Sequence, residues 1–174
     1  MEINERALLI SLISEHRWAG LSTIAHDGAP HASMVAYVST PDLFEHLMLL
    51  SRLSKHTRNL LADPRASLVI STPDPLQGDP QTLPRVTLTG SVTVIERDTI
   101  AWTDARAHYL ARLPDSERLF GFGDFVLFRF IPKKARHIGG FARAFTIGAV
   151  QLKTLLAGDD VPELTPAMGD ETPA

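Results

Sequence analysis

Two runs of strand-forming residues near the N-terminus, Trp18–Ala25 and His31–Thr40, are separated only by His26–Pro30. A parallel pair needs a crossover of a dozen or more residues. These two runs must therefore pair antiparallel. His26-Asp27-Gly28 supplies the tight turn between them. That single constraint moves a chain of alternating strand and helix signals away from a doubly wound parallel sheet. It points instead to an antiparallel sheet closing into a barrel.

The rest of the chain fits such a sheet. Leu47–Ser51, Arg65–Thr72, Arg85–Glu96, Asp124–Ile131 and Arg136–Ile147 read as further strands, the third run being rich in β-branched residues. Gly139-Gly140 marks a bulge or a close approach within the last. Helical spacing covers residues 5–17, with Leu8, Leu9, Leu12 and Ile13 on one side and Asn4 placed to cap. A second helix spans 54–62 and ends at Asp63-Pro64. A third runs from a cap at Asp98 to about Arg112, and Val150–Leu156 forms a short fourth. Residues 73–84, with Pro73, Pro75, Pro80 and Pro84, form a loop. From Gly158 the chain is acidic and Pro-rich, which predicts a loose tail. The organisation is one domain over 1–150, then a short helix and tail over 151–174.

Lys and Arg number 17 against 20 Asp and Glu, a formal charge of −3. That balance gives no electrostatic footprint for nucleic acid or an anionic membrane. The absence of cysteine excludes disulfides and thiolate metal sites. No apolar run reaches the ~20 residues that span a bilayer, and Met1–Arg6 is not the basic start of a secretory signal. The expectation is a cytoplasmic protein with no nucleic-acid or membrane partner.

Chemistry concentrates in Ser51–Pro64, SRLSKHTRNLLADP. A helix start leaves backbone N–H groups unpaired and carries partial positive charge. With Ser54 as N-cap and Lys55, His56 and Thr57 in the first turn, it is suited to a phosphate. An ordinary capped helix with a solvated lysine uses the same residues. His31 on its strand is a candidate proton donor or iron ligand. His137 and Arg143 flank the Gly-Gly bend, where Arg143 would meet an anionic substrate or a partner subunit. Gly121-Phe122-Gly123 lacks the strand–turn–helix order of a dinucleotide site. No metal cluster and no Ser/His/Asp set stands out.

Several pieces recur in a characteristic order: Gly28–Val35, Ser51–Leu60, Asp63–Leu68, Arg85–Gly90, Phe125–Pro132 and Gly139–Ala144. In this the chain resembles the flavin-binding split-barrel superfamily of pyridoxamine 5′-phosphate oxidase, and within it the HugZ-like haem-utilisation branch, over about residues 5–147. The resemblance implies a mainly β fold, a six-stranded antiparallel Greek-key split barrel with flanking helices. It also implies a homodimer with FMN in a cleft between subunits. Carried onto this sequence, Ser33, Met34 and Val35 lie along the flavin. Leu50 and Ser51 approach the ring edge through backbone groups. Ser54, Lys55, His56 and Thr57 hold the phosphate, and Arg85 reaches the flavin, across the dimer if need be.

The departures from the pattern also matter. Pyridoxamine phosphate oxidases carry an arginine where Ser33 stands and a basic residue where Val38 stands. They also carry a tryptophan and an Arg-x-His pattern near the C-terminus. This chain has no tryptophan after Trp102, so oxidation of pyridoxamine phosphate itself is not expected. Haem-degrading members use a C-terminal histidine and often an extra domain. This sequence has no histidine after His137 and no room for a second domain. Three readings remain: an FMN-dependent oxidoreductase acting on a small molecule, a haem-binding or haem-degrading protein, and a non-enzymatic flavin-binding dimer.

Overall fold

The computed structural model describes residues 3–140 and 143–158. Eight antiparallel strands form one sheet: β1 Trp18–Ile24, β2 Pro30–Ala36, β3 Val38–Ser39, β4 His46–Ser51, β5 Arg65–Ser71, β6 Arg85–Val94, β7 Phe125–Gly140 and β8 Arg143–Gly148. Their order is β2-β1-β5-β6-β7-β4-β3, with β8 on the far part of β7. Because β3 directly follows β2 in the chain, one stretch serves both edges of the sheet. Its first part pairs with β1, from Trp18↔Ala36 to Ile24↔Pro30. Its end pairs with β4 through Val38↔Leu47 and Ser39↔His46. The sheet thus closes into a barrel that stays split where β2 and β4 diverge. The expected split barrel is present, with eight strand segments instead of six.

The difference in count has local causes. The run 31–40 divides at Tyr37, whose N–H makes one last bond in the β1 register, to the Arg17 carbonyl at 3.1 Å, before the chain crosses to β4. Conversely, the runs expected at 124–131 and 136–147 regroup. β7 continues through Pro132 to Gly140, because Pro132 sits at a bulge in the β6–β7 pairing at Thr89/Gly90. Gly90 is required there, since a Cβ on it would run into the Ile131 carbonyl.

The barrel interior is filled by alternate residues, among them Leu21, Leu68, Leu88, Met48, Phe128 and Phe130. Helix α1, Ile3–Glu15, adds Leu9, Leu12 and Ile13, all fully buried. Each such side chain stabilises by ~1.5–3 kcal/mol before ordering costs. Helix α5, Ala149–Ala157, joins the same core through Leu152, Leu155 and Leu156. Arg6 of α1 donates to the Leu155 carbonyl at its C-terminal end, at 3.0 and 3.1 Å. The tail expected after Gly158 lies outside the described residues.

A second core covers the other face of β4 and β7. Leu47, Leu49 and Leu127 meet Ala105 and Tyr109 of α3, Ile100–Arg112, and Phe120 of the short α4, Glu117–Phe120. Burial on both faces explains why β4 is apolar without alternation. The cap of α3 is Thr99, whose hydroxyl accepts from the Trp102 N–H at 3.1 Å. Asp98, the expected cap, instead adopts a φ of 65° in the turn before it. No helix among the described residues is long and apolar enough to cross a membrane.

Candidate functional site

Helix α2, Lys55–Ala62, lies at the split, packed against β1 and β2. A buried polar ladder sets its position. Asn59 donates through Nδ2 to Thr23 Oγ1 at 3.0 Å, and Thr23 donates to the His31 carbonyl at 3.4 Å. Asn59 is 7% exposed and Thr23 3%, so the bond satisfies groups that water does not reach. The start of the helix is fixed by the β4–α2 connection. Ser51 donates its hydroxyl to Asp124 Oδ2 and accepts the Leu53 N–H at 3.1 Å, while the Arg52 N–H bonds the Asp124 carbonyl at 2.7 Å.

This frame brings His56 against β2. Its Nδ1 shares a hydrogen bond of 3.0 Å with Ser33 Oγ. Ser33 and His31 point to the helix side of β2, the same side as buried Val35. Burial pushes the His56 pKa down, and neighbouring His31 disfavours its charge further. The imidazole is therefore neutral near pH 7, half-buried, tied at Nδ1 and, among the described residues, without a bond at Nε2.

Successive helix residues point about 100° apart, so the four residues of the expected phosphate loop do not share one side. Ser54 is the N-cap, with extended φ and ψ of −76° and 144°, but its side chain makes no capping bond. Lys55 lines a separate groove of about 520 Å³ with Arg58 and Asn59, closed on the other side by His26 and Asp27 of the β1–β2 turn. Thr57 is fully buried and its hydroxyl has no partner among the described residues. The backbone N–H groups of the first turn remain available to an anion.

The other expected contacts are spread out. Met34 points outward from β2 and is 50% exposed. A Cβ on Gly20 would lie 4.0 Å from Met34 Sδ and 3.9 Å from Val69 Cβ, which places all three on the outer sheet face. Val35 and Leu50 belong to the core. Arg85 stands on β6, with β1 and β5 between it and β2. Its guanidinium donates to the Gln81 and Leu83 carbonyls at 2.9 and 3.0 Å and so holds the Pro-rich loop. Within one chain, then, Ser33 and His56 come together at the split, and Arg85 does not join them.

A second polar cluster lies near the Gly-Gly bend. Glu5 of α1, 3% exposed, accepts from His137 Nε2 at 3.3 Å and from Arg143 Nη1 at 2.8 Å. Burial holds the His137 pKa down against the opposing pull of Glu5. The imidazole is thus a neutral donor to the carboxylate, and Arg143 supplies the countercharge. Asn59, Thr23, Asp124 and Glu5 had no signal in the sequence beyond a polar residue at a core-facing position.

The pattern that defines the pyridoxamine 5′-phosphate oxidase family matches residues 9–139. The chain belongs to that family. Among its relatives is the chloroplast haem oxygenase HOZ of Arabidopsis thaliana, 38% identical over 128 residues, 72% of this chain. The matched region is only 37% of the plant protein's length. The haem oxygenase HutZ of Vibrio cholerae is 24% identical over 79% of this chain and 78% of its own. A haem-binding protein from Mycobacterium smegmatis superposes with a TM-score of 0.77 at 25% identity, over 88% of this chain and 62% of that one. Family membership thus places the chain among the split barrels, and the relatives named are what it is similar to.

Two cofactors are associated with such folds, and the residues here offer something to each. For a flavin phosphate there are Lys55 and Arg58 in one groove beside the first-turn N–H groups of α2, with His56 turned away from them and Ser33 standing where an arginine was expected. Haem needs a neutral imidazole with an open nitrogen, and His56 meets that requirement. Among the described residues no group of three His, Asp or Glu gathers to hold a bare metal ion.

Proposed function

We propose that this chain binds haem at the split of its barrel, beside His56, as part of haem utilisation. The observation that carries this reading is the 38% identity with a haem oxygenase over 72% of the chain, and the neutral, open imidazole of His56 supports it. Haem, when bound, supplies a redox-active iron that can activate oxygen. The protein's part is to exclude water, orient the ring and neutralise the two propionates. Lys55 and Arg58 on the neighbouring groove are cations placed for propionates. Oxidative opening of the ring is the finer form of the proposal and requires an external reductant.

A second copy of the chain is the proposed cover for the outer sheet face. Trp18, Met34 and Val69 are 57%, 50% and 38% exposed there, among small residues such as Gly20, Ala32 and Ser67. An exposed apolar face of this kind is a pairing surface. Such a dimer would also bring the partner's copy of the outer-face Arg85 toward the cleft, which one chain alone does not.

FMN is the second reading, favoured by the Lys55–Arg58 groove beside the free N–H groups of α2, a place for a phosphate. On that reading the protein is a flavin-dependent oxidoreductase acting on a small molecule. One titration separates the two. Purified protein is titrated with hemin and, separately, with FMN, and absorbance is followed. The haem reading expects a shifted Soret band that saturates at one haem per site, and its decay to a linear tetrapyrrole on adding ascorbate in air if the protein is an oxygenase. Saturable flavin binding with no haem uptake would overturn it.

A further inference from the structure

We propose that the pocket between the C-terminal ends of α1 and α3 binds a small carboxylic acid whose next carbon carries a hydrogen-bond donor, an α-hydroxy or α-amino acid. The pocket has a volume of about 190 Å³, and its lining includes Ser14 and His16 at the end of α1, Tyr37 at the β2–β3 junction, and His108 and Arg112 of α3. A water takes up ~30 Å³ in the liquid, so the space suits a ligand of about six heavy atoms. No residue of α2 lines it, so the proposal does not rest on the haem or the flavin reading.

Both imidazoles have their tautomer set by a backbone carbonyl, which can only accept. His16 Nδ1 carries its hydrogen toward the Leu12 carbonyl at 3.1 Å, and His108 Nε2 toward the Ser39 carbonyl at 2.7 Å. The other nitrogen of each ring is a lone pair without a partner among the described residues. Two such acceptors call for a ligand that donates. Arg112 makes the opposite demand. It stands one turn after His108 on the same face of α3. Its Nη2 donates to the Ser14 and Glu15 carbonyls at 3.3 and 2.9 Å and offsets the negative end of α1. Its remaining N–H groups make no bond among the described residues, and no Asp or Glu lines the pocket. The guanidinium is thus open to a carboxylate. Burial keeps the Tyr37 hydroxyl protonated against the pull of Arg112, so the wall supplies no competing anion. Leu43 lines the same pocket with a φ of 60°, its N–H held by the Thr40 carbonyl at 2.8 Å. Non-glycine residues in that region cluster at binding sites. One cation and two acceptors in a small space match a carboxylate with an adjacent O–H or N–H. A simple carboxylate satisfies only Arg112. A metal ion suits the imidazoles but meets the guanidinium with no carboxylate to offset it.

The test is NMR of the full chain, with the ring nitrogens of His16 and His108 followed during titration with glycolate, glycine and acetate. Before any acid is added, the hydrogen should be found on His16 Nδ1 and on His108 Nε2. Glycolate or glycine is expected to shift both rings saturably, and the one that does so names the donor as hydroxyl or amine. Acetate should bind about tenfold more weakly, the effect of one lost hydrogen bond. Arg112→Gln should weaken the bound acid by about tenfold or more. Ser14→Leu, which fills the space and removes no hydrogen bond among the described residues, should abolish binding. Circular dichroism and thermal melting show that both variants are folded. No saturable shift with glycolate or glycine, equal affinity for acetate, full affinity in Arg112→Gln, or binding that survives Ser14→Leu overturns the proposal. So does uptake of Zn²⁺ by the two rings with no response to either acid.

Discussion

His46 makes acid stability a quantitative test of the fold. It is fully buried on β4, edge-on to Tyr37 at a centroid distance of 5.6 Å and tilted on Phe130 at 6.0 Å. Its tautomer follows from its neighbour. The Ser39 hydroxyl gives its one proton to the Ile13 carbonyl at 3.1 Å, so at the 3.0 Å contact with His46 Nδ1 it must be the acceptor. Nδ1 therefore carries the hydrogen, and Nε2 is a bare lone pair with no partner among the described residues. Protonating Nε2 would place a buried charge with nothing to receive it. Burial accordingly lowers the pKa from 6.5 to about 3, with Asp42 opposing weakly.

The consequence has a definite sign. The folded-state pKa lies below that of the unfolded chain, so as pH falls below about 6.5 the unfolded state takes the proton first and stability drops. The loss is about 1.4 kcal/mol per pH unit until the folded state also protonates near pH 3. Between pH 7 and 4.5 this amounts to roughly 2–3 kcal/mol. The perturbation is His46→Phe, which keeps an aromatic ring between Tyr37 and Phe130 and removes the proton site. Urea unfolding at pH 7 and pH 4.5, followed by the fluorescence of Trp18 and Trp102, gives the free energies. His137, also held neutral by burial, adds a slope of the same sign to both proteins and cancels in the difference. Wild type should lose roughly 2–3 kcal/mol more than His46→Phe across that interval. Equal losses would show that His46 titrates normally or lies outside the core, and would refute the reasoning.

Gly139→Ala should destabilise by roughly 1–3 kcal/mol in urea, since its methyl would displace the Glu5 carboxylate and leave the buried His137 N–H without its acceptor; the contact to Arg143, which is more than half exposed, adds little. Gly123→Ala, with no atom near the new methyl, is the control, and equal effects would remove the Glu5 cluster as the cause. Met34→Glu should turn a dimer into a folded monomer by light scattering, because the charge falls at the centre of the exposed apolar row; unchanged mass would place any pairing surface elsewhere.

The parts of the fold legible in the sequence are those decided within a few residues. The hairpin at Gly28 is one: Gly28 takes a φ of 82° and its N–H closes on the Ala25 carbonyl at 2.8 Å. The helix Lys55–Ala62 with its stop at Asp63-Pro64 is another. What failed was decided elsewhere in space. Strand 31–40 breaks at Tyr37 because barrel closure sends the chain to the opposite edge, and no local signal encodes that. The strand expected to end at Ile131 runs on through Pro132, because the bulge opposite Gly90 makes room for it. The cap moved from Asp98 to Thr99, one residue, which is within the reach of local rules but below their resolution.

The candidate site shows the same division more sharply. Ser54, Lys55, His56 and Thr57 are neighbours in the chain, which is why a motif can name them. On a helix such neighbours must point apart: Lys55 goes to the turn groove, His56 to Ser33, and Thr57 to the core. Convergence comes from register and packing, and these bring His56 to Ser33, Asn59 to Thr23, Ser51 to Asp124 and Glu5 to His137. Each of these pairs spans two elements. The resemblance named Ser33 and His56 separately, one along the flavin and one at its phosphate, and did not pair them. The others are polar pairs at buried or half-buried positions, and only the closed barrel decides which partner each finds. A consecutive motif therefore locates the cleft, and the side chain that leaves the motif to find a partner on the sheet, His56, is the one with a single fixed direction in which to act.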